Sequence, residues 1–376
     1  MKIGIVTSEF PPDIGGVETY SYEFAKNLAS LGHEVTVFLH HNHKVDQEIA
    51  GIKLIPILRF CRRIDRIKLR EYSMDVWHVM NAAHSWLTLD TDRPVIVSIH
   101  GNDFLRPYPL IGRLGINIKV LWRVSDLISH FDAWLGKYIT SYYMKRALPK
   151  AKYILANSQY TKEIFLRSYP KCTQNTLVAQ VGVSDIFLKS GPKIKSDTTP
   201  KLLTVSRLSE PRKNVDLVLY ALAKIAGEFD FQYSIIGDGK DRKALEELTL
   251  QLGLENKVRF LGFQPNSLLI QAMQNADLFI LTSSVLSDSH EGFGIVYLEA
   301  AASGTPSLAS RLAGAVEAID EGKSGYFVEQ PTIENIALAL KKFLAKEIVF
   351  SPENCHEFAK RFAWINICKK VPLYNQ

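Results

Sequence analysis

Residues 2–39 read KIGIVTSEFPPDIGGVETYSYEFAKNLASLGHEVTVFL, and this stretch decides the fold class. Lys2–Thr7 is a short apolar run, Val17–Leu31 repeats apolar residues with a helical period, and Val35–Leu39 is a second apolar run rich in β-branched residues. Short apolar runs that alternate with helical patterns are typical of a parallel sheet covered by helices on both faces. We therefore expect a strand, a helix and a strand here, with a turn at Gly32.

The same alternation continues along the chain. Further strands are expected at Val76–Val79, Val95–Ile99, Tyr153–Ala156, Leu202–Ser206, Tyr233–Ile236, Val258–Leu261, Leu278–Leu281 and Pro306–Ala309. Helices are expected at Val215–Phe229, Asp241–Leu252, Leu268–Asn275 and Ile295–Ser303. Residues 188–200 are polar and lack a period, which is typical of a linker. The pattern predicts two doubly wound α/β domains that bind ligands beyond the carboxyl ends of their strands, with a cleft between the domains as the expected site.

Length and composition exclude several classes of protein. The 376 residues suit two domains with buried cores, and 47% hydrophobic with 22% charged residues is ordinary for globular proteins. The four cysteines are far apart and form no CxxC pair, so we expect neither a disulfide framework nor a zinc cluster. No apolar run reaches the length of a membrane span, and Glu9, Pro11, Pro12 and Asp13 interrupt the apolar start, so a signal peptide is not expected.

The formal net charge of +6 is unevenly distributed, with +7 in residues 1–190 and −1 in residues 191–376. Much of the excess comes from six basic residues between Leu58 and Met74, namely Arg59, Arg62, Arg63, Arg66, Lys68 and Arg70. Such a cluster either faces an anionic surface, where each basic group adds about 1 kcal/mol, or forms a solvated helix face. Nucleic acid is not an expected partner, because the rest of the surface is not basic.

Paired glycines follow the first predicted strand. The loop from Glu9 to Glu18 contains Gly15 and Gly16 and opens the first helix. Glycines there let the backbone approach a ligand closely, and the helix N-terminus offers unpaired amides to an anion. The loop lacks the GxGxxG spacing of a dinucleotide fold, and the sequence contains no GxxxxGKS or GxxxxGKT phosphate loop. The alternative is a tight strand–helix turn without a ligand.

Two cations stand on the loop after the strand predicted at 202–206. Arg207 and Lys213 lie where that strand has ended and a helix begins. A guanidinium can contact two oxygens at once and an ammonium acts as a point charge, so the pair suits a pyrophosphate. The alternative is that both side chains are solvated surface residues.

Residues 289–300 contain two acids and two glycines close to the start of another predicted helix. Glu291 precedes the helix, the amides of residues 294–296 lie at its positive end, and Glu299 is the acid on an otherwise apolar helix. Burial of an unpaired carboxylate is costly, so Glu299 needs a donor partner or a polar cleft. An acid followed by free amides can hold sugar hydroxyls and a phosphate together. The alternatives are a structural salt bridge for Glu299 and a helix N-terminal acid for Glu291.

In this order the motifs resemble those of glycosyltransferase family 4, and the resemblance covers nearly the full length. It rests on the opening at Pro11–Glu18, the loop at Arg207–Lys213, and the pair Glu291 and Glu299. Lesser matches follow in family order at His100-Gly101-Asn102-Asp103, Ala156-Asn157-Ser158, Gly182-Val183, Gly237-Asp238-Gly239 and Gly325-Tyr326-Phe327-Val328. The sequence departs from the family twice: Asn214 stands where many relatives carry glycine, and Val285–His290 replaces a shorter run.

The resemblance implies the GT-B fold, two facing Rossmann-like domains with an interdomain cleft. The N-terminal acceptor-side domain would span 1–190, with 358–376 crossing back onto it, and the nucleotide-sugar-binding domain would span 191–357. The returning segment begins with Phe358–Trp364, which resembles the last helix of the family.

The resemblance also implies roles in donor binding. Gly15 and Gly16 would bring amides near the donor phosphate, Glu291 would hold a sugar hydroxyl, and Glu299 would hold the ribose hydroxyls. The backbone around Leu261–Phe263 would contact the base. The implied donor set also contains Gly262, Phe263, Phe293, Gly294, Ile295 and Val296.

For catalysis, the resemblance implies that Arg207 and Lys213 neutralise the pyrophosphate leaving group in place of a metal. His100 would face the reacting sugar carbon, with Asn102 and Asp103 on the acceptor side. The alternative for His100 is a cap on a strand-end loop. No carboxylate of the N-terminal domain suits the role of a nucleophile, so we expect attack from the face of the leaving group through an oxocarbenium-like state.

The implied function is a retaining transferase that moves a hexose from a nucleotide sugar to a glycan or lipid-linked acceptor in cell-surface polysaccharide synthesis. The expected donor is UDP-glucose or a related UDP-hexose, and no cofactor or metal is expected. One alternative is a non-catalytic GT-B subunit that supports a partner transferase. A nicotinamide-dependent oxidoreductase is a weaker one, because the GxGxxG motif is missing.

Residues 105–143 are rich in aromatic side chains. Together with the basic segment 59–70 they either dock on a membrane that carries a lipid-linked acceptor or pack inside the N-terminal domain. The expected localisation is accordingly cytoplasmic, either free or peripheral on the inner face of the membrane.

Overall fold

The computed structural model describes residues 1–12, 15–43, 48–59, 61–105, 126–193, 199–287 and 289–375. The chain forms two compact units, Met1–Val181 with Trp364–Gln376, and Gly182–Ala363. The family resemblance predicts 1–190 with 358–376 for the first domain and 191–357 for the second. Residues 194–198 of the expected linker lie outside the described residues.

A mostly parallel sheet forms the centre of the first unit. Its strands are β1 Lys2–Val6, β2 Glu34–His40, β3 Glu48–Ile49, β4 Ile52–Leu58, β5 Val76–Val79, β6 Val95–Ile99, β7 Tyr153–Ala156 and β8 Thr176–Val178. They lie in the order β3-β4-β2-β1-β5-β6-β7-β8, and only the pair β3 and β4 is antiparallel among the described strands. The chain order reverses between β1 and β5, so the loops after these strands flank the switch point at the carboxyl edge.

Helices connect the strands of the first unit. They are α1 Gly16–Ser30, α2 Arg62–Leu69, α3 Asn102–Leu105, α4 Asp126–Ala147 and α5 Gln159–Ser168. Phe24 and Leu28 on helix α1 pack into the core and have no exposed surface. Burial of such side chains contributes about 1.5–3 kcal/mol each and fixes the face that the helix presents to its unit.

A second parallel sheet organises the other unit. Its strands are β9 Lys201–Val205, β10 Gln232–Ile236, β11 Val258–Gly262, β12 Leu278–Leu281, β13 Ser307–Ser310 and β14 Gly325–Val328, in the order β11-β10-β9-β12-β13-β14. Its helices are α6 Asp185–Ser190, α7 Val215–Ile225, α8 Arg242–Gln251, α9 Asn266–Asn275, α10 Ile295–Ala302, α11 Ile333–Leu344 and α12 Pro352–Lys360. The chain order reverses between β9 and β12, which puts the switch point of this sheet at the loops 206–214 and 282–294.

The last described residues return to the first unit. Helix α13 Trp364–Lys369 and the turn Pro372–Asn375 pack against α1. The buried Trp364 ring lies edge-on to Tyr20, with centroids 5.2 Å apart, and the Tyr374 hydroxyl lies 2.7 Å from Nδ1 of His78. The tail therefore supplies part of the core of the first unit.

The predicted fold class is confirmed: the chain forms two α/β units built on parallel sheets. Central strands such as β5, β6, β7 and β12 begin and end where the apolar runs predict. The pattern misses four strands: β4, whose residues alternate between buried and exposed and include Pro56, the short edge strands β3 and β8, and β14. Among the described helices, none combines the length and the apolar character needed to cross a membrane.

Candidate active site

Two loops meet at the switch point of the second sheet. The loop after β9 carries Arg207 and Lys213, and the loop after β12 leads through Glu291 into α10. The backbone N–H of Ser284 donates to the carbonyl of Arg212 over 2.7 Å, so the two loops are tied directly to each other. Two motifs about 80 residues apart along the chain thus come together here.

A cluster of opposite charges lies between these loops. The Lys213 ammonium is 2.5 Å from Glu291, and the Arg212 guanidinium reaches Glu291 at 3.4 Å and Glu210 at 2.7 Å. The side chains of Arg212 and Lys213 are only 6% and 13% exposed, so solvent screens the cluster weakly. Burial raises the pKa of the Glu291 carboxyl, but the charges of Lys213 and Arg212 outweigh it and hold that pKa below its ordinary value. Glu291 is therefore an ionised hydrogen-bond acceptor.

The cluster depends on the conformation of Asn214. This residue has a left-handed backbone, with φ 55° and ψ 36°, between the turn Pro211–Lys213 and α7. Its side-chain amide donates to the carbonyl of Thr282 over 2.6 Å and lies 2.8 Å from the hydroxyl of Ser284. Asparagine tolerates the left-handed region, and its side chain adds two bonds to the neighbouring loop.

The N-terminus of α10 is shaped by close contacts. Gly294 has φ +90°, and a Cβ at this position would lie 2.5 Å from the Tyr297 ring. That ring is fixed in turn, because its hydroxyl donates to the carbonyl of Leu281 over 2.6 Å. The amides of Ile295 and Val296 open the helix, where the backbone N–H groups have no partner within the helix. An anion is stabilised at such a place.

Glu299 lies one turn further along α10 and is partly buried. Burial raises the pKa of its carboxyl to about 7. In the part of the chain that the structure describes, no hydrogen bond or ion pair reaches this carboxylate. The salt-bridge alternative therefore has no support among the described residues, and the group is available to a ligand with hydroxyl donors.

Four other predicted residues lie at the same edge of the second sheet. Arg207 is 71% exposed on its side chain and pairs with Glu210 at 2.6 Å. Gly262 ends β11 with φ +66°, and Phe263, which follows it, is 57% exposed. The buried Phe293 stands between Glu291 and α10 with 2% of its surface exposed. Arg207 and Phe263 are thus free of the core and accessible to a ligand.

The segment that departs from the family forms a short turn. The backbone N–H of Leu286 donates to the carbonyl of Ser289 over 2.8 Å, just before His290 and Glu291. Residue 288 lies outside the described residues. The turn ends next to the charge cluster, as the position of this segment in the sequence predicts.

The predicted residues of the first unit follow β1 and β6. Gly15 caps α1 and Gly16 begins it, whereas residues 13 and 14 of that loop lie outside the described residues. His100 follows β6 and is partly buried, with Nε2 2.9 Å from the carbonyl of Met80. A carbonyl only accepts, so Nε2 donates and Nδ1 of the neutral ring is left as an acceptor.

Buried hydrogen bonds support the ring of His100 from behind. Tyr20 packs edge-on against it, with centroids 4.7 Å apart, and the Tyr20 hydroxyl is 2.9 Å from the Ser98 hydroxyl. The Ser98 hydroxyl is also 2.8 Å from Nε2 of His78, and Nδ1 of His78 is hydrogen-bonded to the Tyr374 hydroxyl. The orientation of His100 is thus connected to the tail.

Asp103 is buried, and both of its carboxylate oxygens accept backbone amides. The N–H groups of His100 and Ala82 each donate to it over 2.9 Å. The structure therefore gives Asp103 the function of joining two loops. Asn102 begins α3, and its side chain lies outside the described residues.

Sequence reasoning did not assign Arg212, Tyr297 or Gly314 to the site, and it noted Asn214 only as a departure from the family. The Gly314 N–H donates to the carbonyl of Glu291 over 3.0 Å, and a Cβ on Gly314 would lie 2.1 Å from the carbonyl oxygen of Gly292. The signal for Arg212 and Asn214 was their position beside Lys213, although neither residue type alone indicates burial. For Tyr297 and Gly314 the sequence carries no comparable signal.

Two doubly wound parallel-sheet units, with cations, helix amides and carboxylates at the switch point of the second, define the class of GT-B glycosyltransferases. Residues 14–179 match the family described as Glycosyltransferase Family 4, and residues 188–362 match the family described as Glycosyl transferases group 1. The chain belongs to glycosyltransferase family 4.

Individual proteins resemble it along almost the whole chain. An uncharacterized glycosyltransferase of Methanocaldococcus jannaschii is 26% identical, over 99% of this chain and 97% of its own. The GDP-mannose-dependent alpha-(1-6)-phosphatidylinositol monomannoside mannosyltransferase of Mycolicibacterium smegmatis is 24% identical, over 91% of this chain and 88% of its own. The solved structure of HepE from Anabaena in complex with UDP-glucose has a TM-score of 0.70 at 20% identity, over 98% of each chain.

Proposed function

We propose that this glycosyltransferase moves a hexose from UDP-glucose or a related UDP-hexose to a glycan or lipid-linked saccharide, with retention of the anomeric configuration. The observation that carries the proposal is the buried contact of Lys213 and Arg212 with Glu291, beside the free amides of α10. The cluster offers cations to a diphosphate and an ionised carboxylate to sugar hydroxyls. The complex of HepE with UDP-glucose supports the choice of donor.

The acceptor and the cellular role are part of the same proposal. The mycobacterial relative acts on a phosphatidylinositol monomannoside, which supports a lipid-linked acceptor. Its donor is GDP-mannose, so GDP-sugars are the competing donor class that an experiment has to exclude. We place the activity in the synthesis of a cell-surface polysaccharide, in the cytoplasm and with peripheral contact to the inner face of the membrane.

Lys213 can serve the donor without leaving Glu291. Its ammonium has three protons, of which one is used by Glu291 at 2.5 Å. A second proton is free for an oxygen of the β-phosphate, while the remaining lone pairs of Glu291 accept a sugar hydroxyl. Arg207 and the amides of Ile295 and Val296 bind the same diphosphate. Sugar and leaving group are thus held by one connected set of charges.

The proposed reaction proceeds on a single face of the sugar. The bond between C1 and the diphosphate oxygen breaks, and the acceptor oxygen forms its bond to C1 from the same side. The acceptor proton passes to the departing diphosphate, so atoms and charge balance. Lys213 and Arg207 stabilise the negative charge that develops on the leaving group, which is the role a metal plays elsewhere. His100, Gly15 and Gly16 keep the roles that the family resemblance implies.

The test is the release of nucleotide from a panel of UDP-, GDP- and ADP-sugars in EDTA, with and without saccharide acceptors. We expect release from a UDP-hexose, and a loss of about 10²–10³-fold for Lys213→Ala, as for other groups that stabilise a developing charge. Lys243→Ala removes the same charge from a side chain that is 87% exposed on α8, and it is expected to leave the rate unchanged.

Three outcomes would contradict the proposal. Turnover of GDP-sugars alone would overturn the UDP donor. Activity that disappears in EDTA and returns with Mg²⁺ would overturn metal independence, and an inverted anomer in the product would overturn retention. Tight UDP binding without turnover under all conditions would instead support the non-catalytic subunit.

A further inference from the structure

An aromatic stripe runs along the exposed side of α4. Trp134, Tyr138 and Tyr142 are spaced by four residues, which puts them on one helix face, and they are 61%, 63% and 48% exposed. The rings of Trp134 and Tyr138 stack, with centroids 6.0 Å apart and an angle of 16° between their planes. Residues 105–143 are expected either to dock on a membrane or to pack inside the domain. These three side chains are exposed, so packing inside the domain is not what they do.

A cationic cavity opens at the end of this stripe. It has a volume of about 390 Å³ and is lined by Arg62, Leu89, Tyr142, Tyr143, Arg146 and Lys150. The cavity joins the aromatic stripe of α4 to the basic segment on α2. Two features that are about 80 residues apart in the sequence thus form a single surface.

Arg62 is the fixed wall of the cavity. Its guanidinium makes two bonds to the carboxylate of Asp90, at 2.7 and 3.0 Å, and lies 4.9 Å from the centre of the Tyr143 ring. The bond to Asp90, together with its charge, raises the pKa of Arg62 further above its ordinary value despite partial burial. Asp90 neutralises this cation, so Arg62 shapes the cavity and adds little net charge.

Arg146 and Lys150 give the cavity its net charge. Both are exposed, and neither pairs with a carboxylate among the described residues. The guanidinium of Arg146 donates to the Tyr142 hydroxyl, which holds it at the mouth of the cavity. Two uncompensated cations and two phenol groups around such a volume suit a phosphate group.

The neighbouring helix α2 extends the same character. Its outward residues include the cations Arg63 and Arg66, together with Ile64 and Ile67, which are 37% and 60% exposed, and the exposed Arg70 follows the last residue of the helix. Tryptophan and tyrosine beside lysine and arginine are the side chains that prefer the headgroup region of a bilayer. Exposed isoleucines and aromatic rings contribute little to a water-facing helix, whereas a membrane surface buries them.

We propose that the outward faces of α2 and α4 form a docking site for an anionic bilayer, with the phosphate of a lipid headgroup in the cavity at Arg146 and Lys150. This inference deepens the peripheral membrane contact of the proposed function and rests on it. It is independent of the donor chemistry, because every residue involved lies on the first unit and outside the proposed donor set.

Co-flotation of the whole protein with vesicles tests the docking site. We expect binding to phosphatidylcholine vesicles that contain phosphatidylglycerol and much weaker binding to phosphatidylcholine alone. Each basic group near such a surface is worth about fivefold in affinity, so Arg146→Ala with Lys150→Ala should weaken binding about 30-fold. Arg167→Ala with Lys171→Ala removes the same charge from exposed residues of α5 and the turn after it, and should have little effect.

A second pair of variants tests the aromatic stripe. Trp134→Ala with Tyr138→Ala should reduce binding to vesicles that contain phosphatidylglycerol without changing its dependence on salt. Tyr220→Ala, a partly exposed tyrosine of α7, is the matched control and should bind as wild type. UDP binding, measured on every variant, should stay at the wild-type value.

The outcomes separate this inference from the proposed function. Equal binding of wild type and Arg146→Ala with Lys150→Ala would overturn the docking site, as would equal binding to neutral vesicles. Binding of inorganic phosphate without any vesicle binding would identify a soluble anion as the ligand and would also overturn it. Vesicle binding by a protein that binds no nucleotide sugar would refute the donor assignment and leave the docking site standing.

Discussion

Replacement of Glu299 by glutamine should remove a pH dependence from donor binding. In the free protein, burial raises the pKa of this carboxyl to about 7. In the proposed donor complex, ribose hydroxyls would donate to the ionised carboxylate, so a bound nucleotide sugar would favour loss of the proton. Binding should therefore strengthen as the pH rises through 7, and it should release a proton below that pH.

The size of the effect follows from the fraction of ionised carboxyl. With a pKa of about 7, about a tenth of the Glu299 carboxyls are ionised at pH 6 and about nine-tenths at pH 8. The affinity for the donor should thus differ about tenfold between these two pH values. Glu299→Gln should bind with nearly the same affinity at both, and more weakly than wild type at pH 8, because a charged acceptor is lost.

Calorimetry with the nucleotide sugar selected by the donor panel is the direct assay. A nucleotide sugar is preferable to UDP, since its diphosphate is a diester without a proton that titrates between pH 6 and 8. Glu247→Gln changes an exposed carboxyl of α8 and serves as the control. A wild-type affinity that is constant from pH 6 to 8, or the same pH profile in Glu299→Gln, would refute the assigned role.

The same carboxyl affects stability in the absence of a ligand. Its folded pKa of about 7 lies above the ordinary value of 4.5, so the folded state binds the proton more tightly than the unfolded chain. Stability is therefore lost as the pH rises from about 4.5 to about 7. Glu299→Gln should raise the thermal midpoint at pH 8 and leave it unchanged near pH 4. A rise of equal size at both pH values would contradict this reasoning.

Three further substitutions test residues that hold loops or core side chains of the two units in place. Asn214→Ala should cost about 2 kcal/mol in urea unfolding, since it loses two hydrogen bonds and strains a left-handed residue, and the glycine variant should cost less; equal costs would argue against backbone strain. Tyr374→Phe should cost about 1–3 kcal/mol by leaving a ring nitrogen of His78 unpaired, and an unchanged urea midpoint would show that the contact is unimportant. Gly314→Ala should slow transfer about 10²-fold, because the added Cβ displaces the loop that carries Glu291. Activity at the wild-type level would contradict this prediction.

The sequence predicts best where burial alone determines the local structure. β5, β6 and β12 are buried along their whole length, so each is visible as an apolar run. β4 alternates between buried and exposed residues, and β8 is too short for any period to be read. Those strands are determined by their pairing with distant segments, which a single sequence does not contain.

The candidate site shows the same division. Arg207, Lys213, Glu291 and Glu299 stand in motifs whose chemistry can be recognised from residue type and spacing. The importance of Arg212 arises from its burial between Glu210 and Glu291, a contact between loops about 80 residues apart. Asp103 shows the reverse case, since its type suggests contact with a ligand while its carboxylate is occupied by the amides of His100 and Ala82.

The return of the tail to the first unit sets an order for synthesis on the ribosome. The second unit, residues 182–363, is contiguous and has all its core residues once position 363 has left the exit tunnel. The first unit begins with residue 1 but has to wait for Trp364 and Tyr374 before its aromatic core around Tyr20 is filled. The part of the chain that is translated first is thus the last to finish folding, and nascent chains released before Tyr374 should be substrates for chaperones and proteases although their second unit is complete.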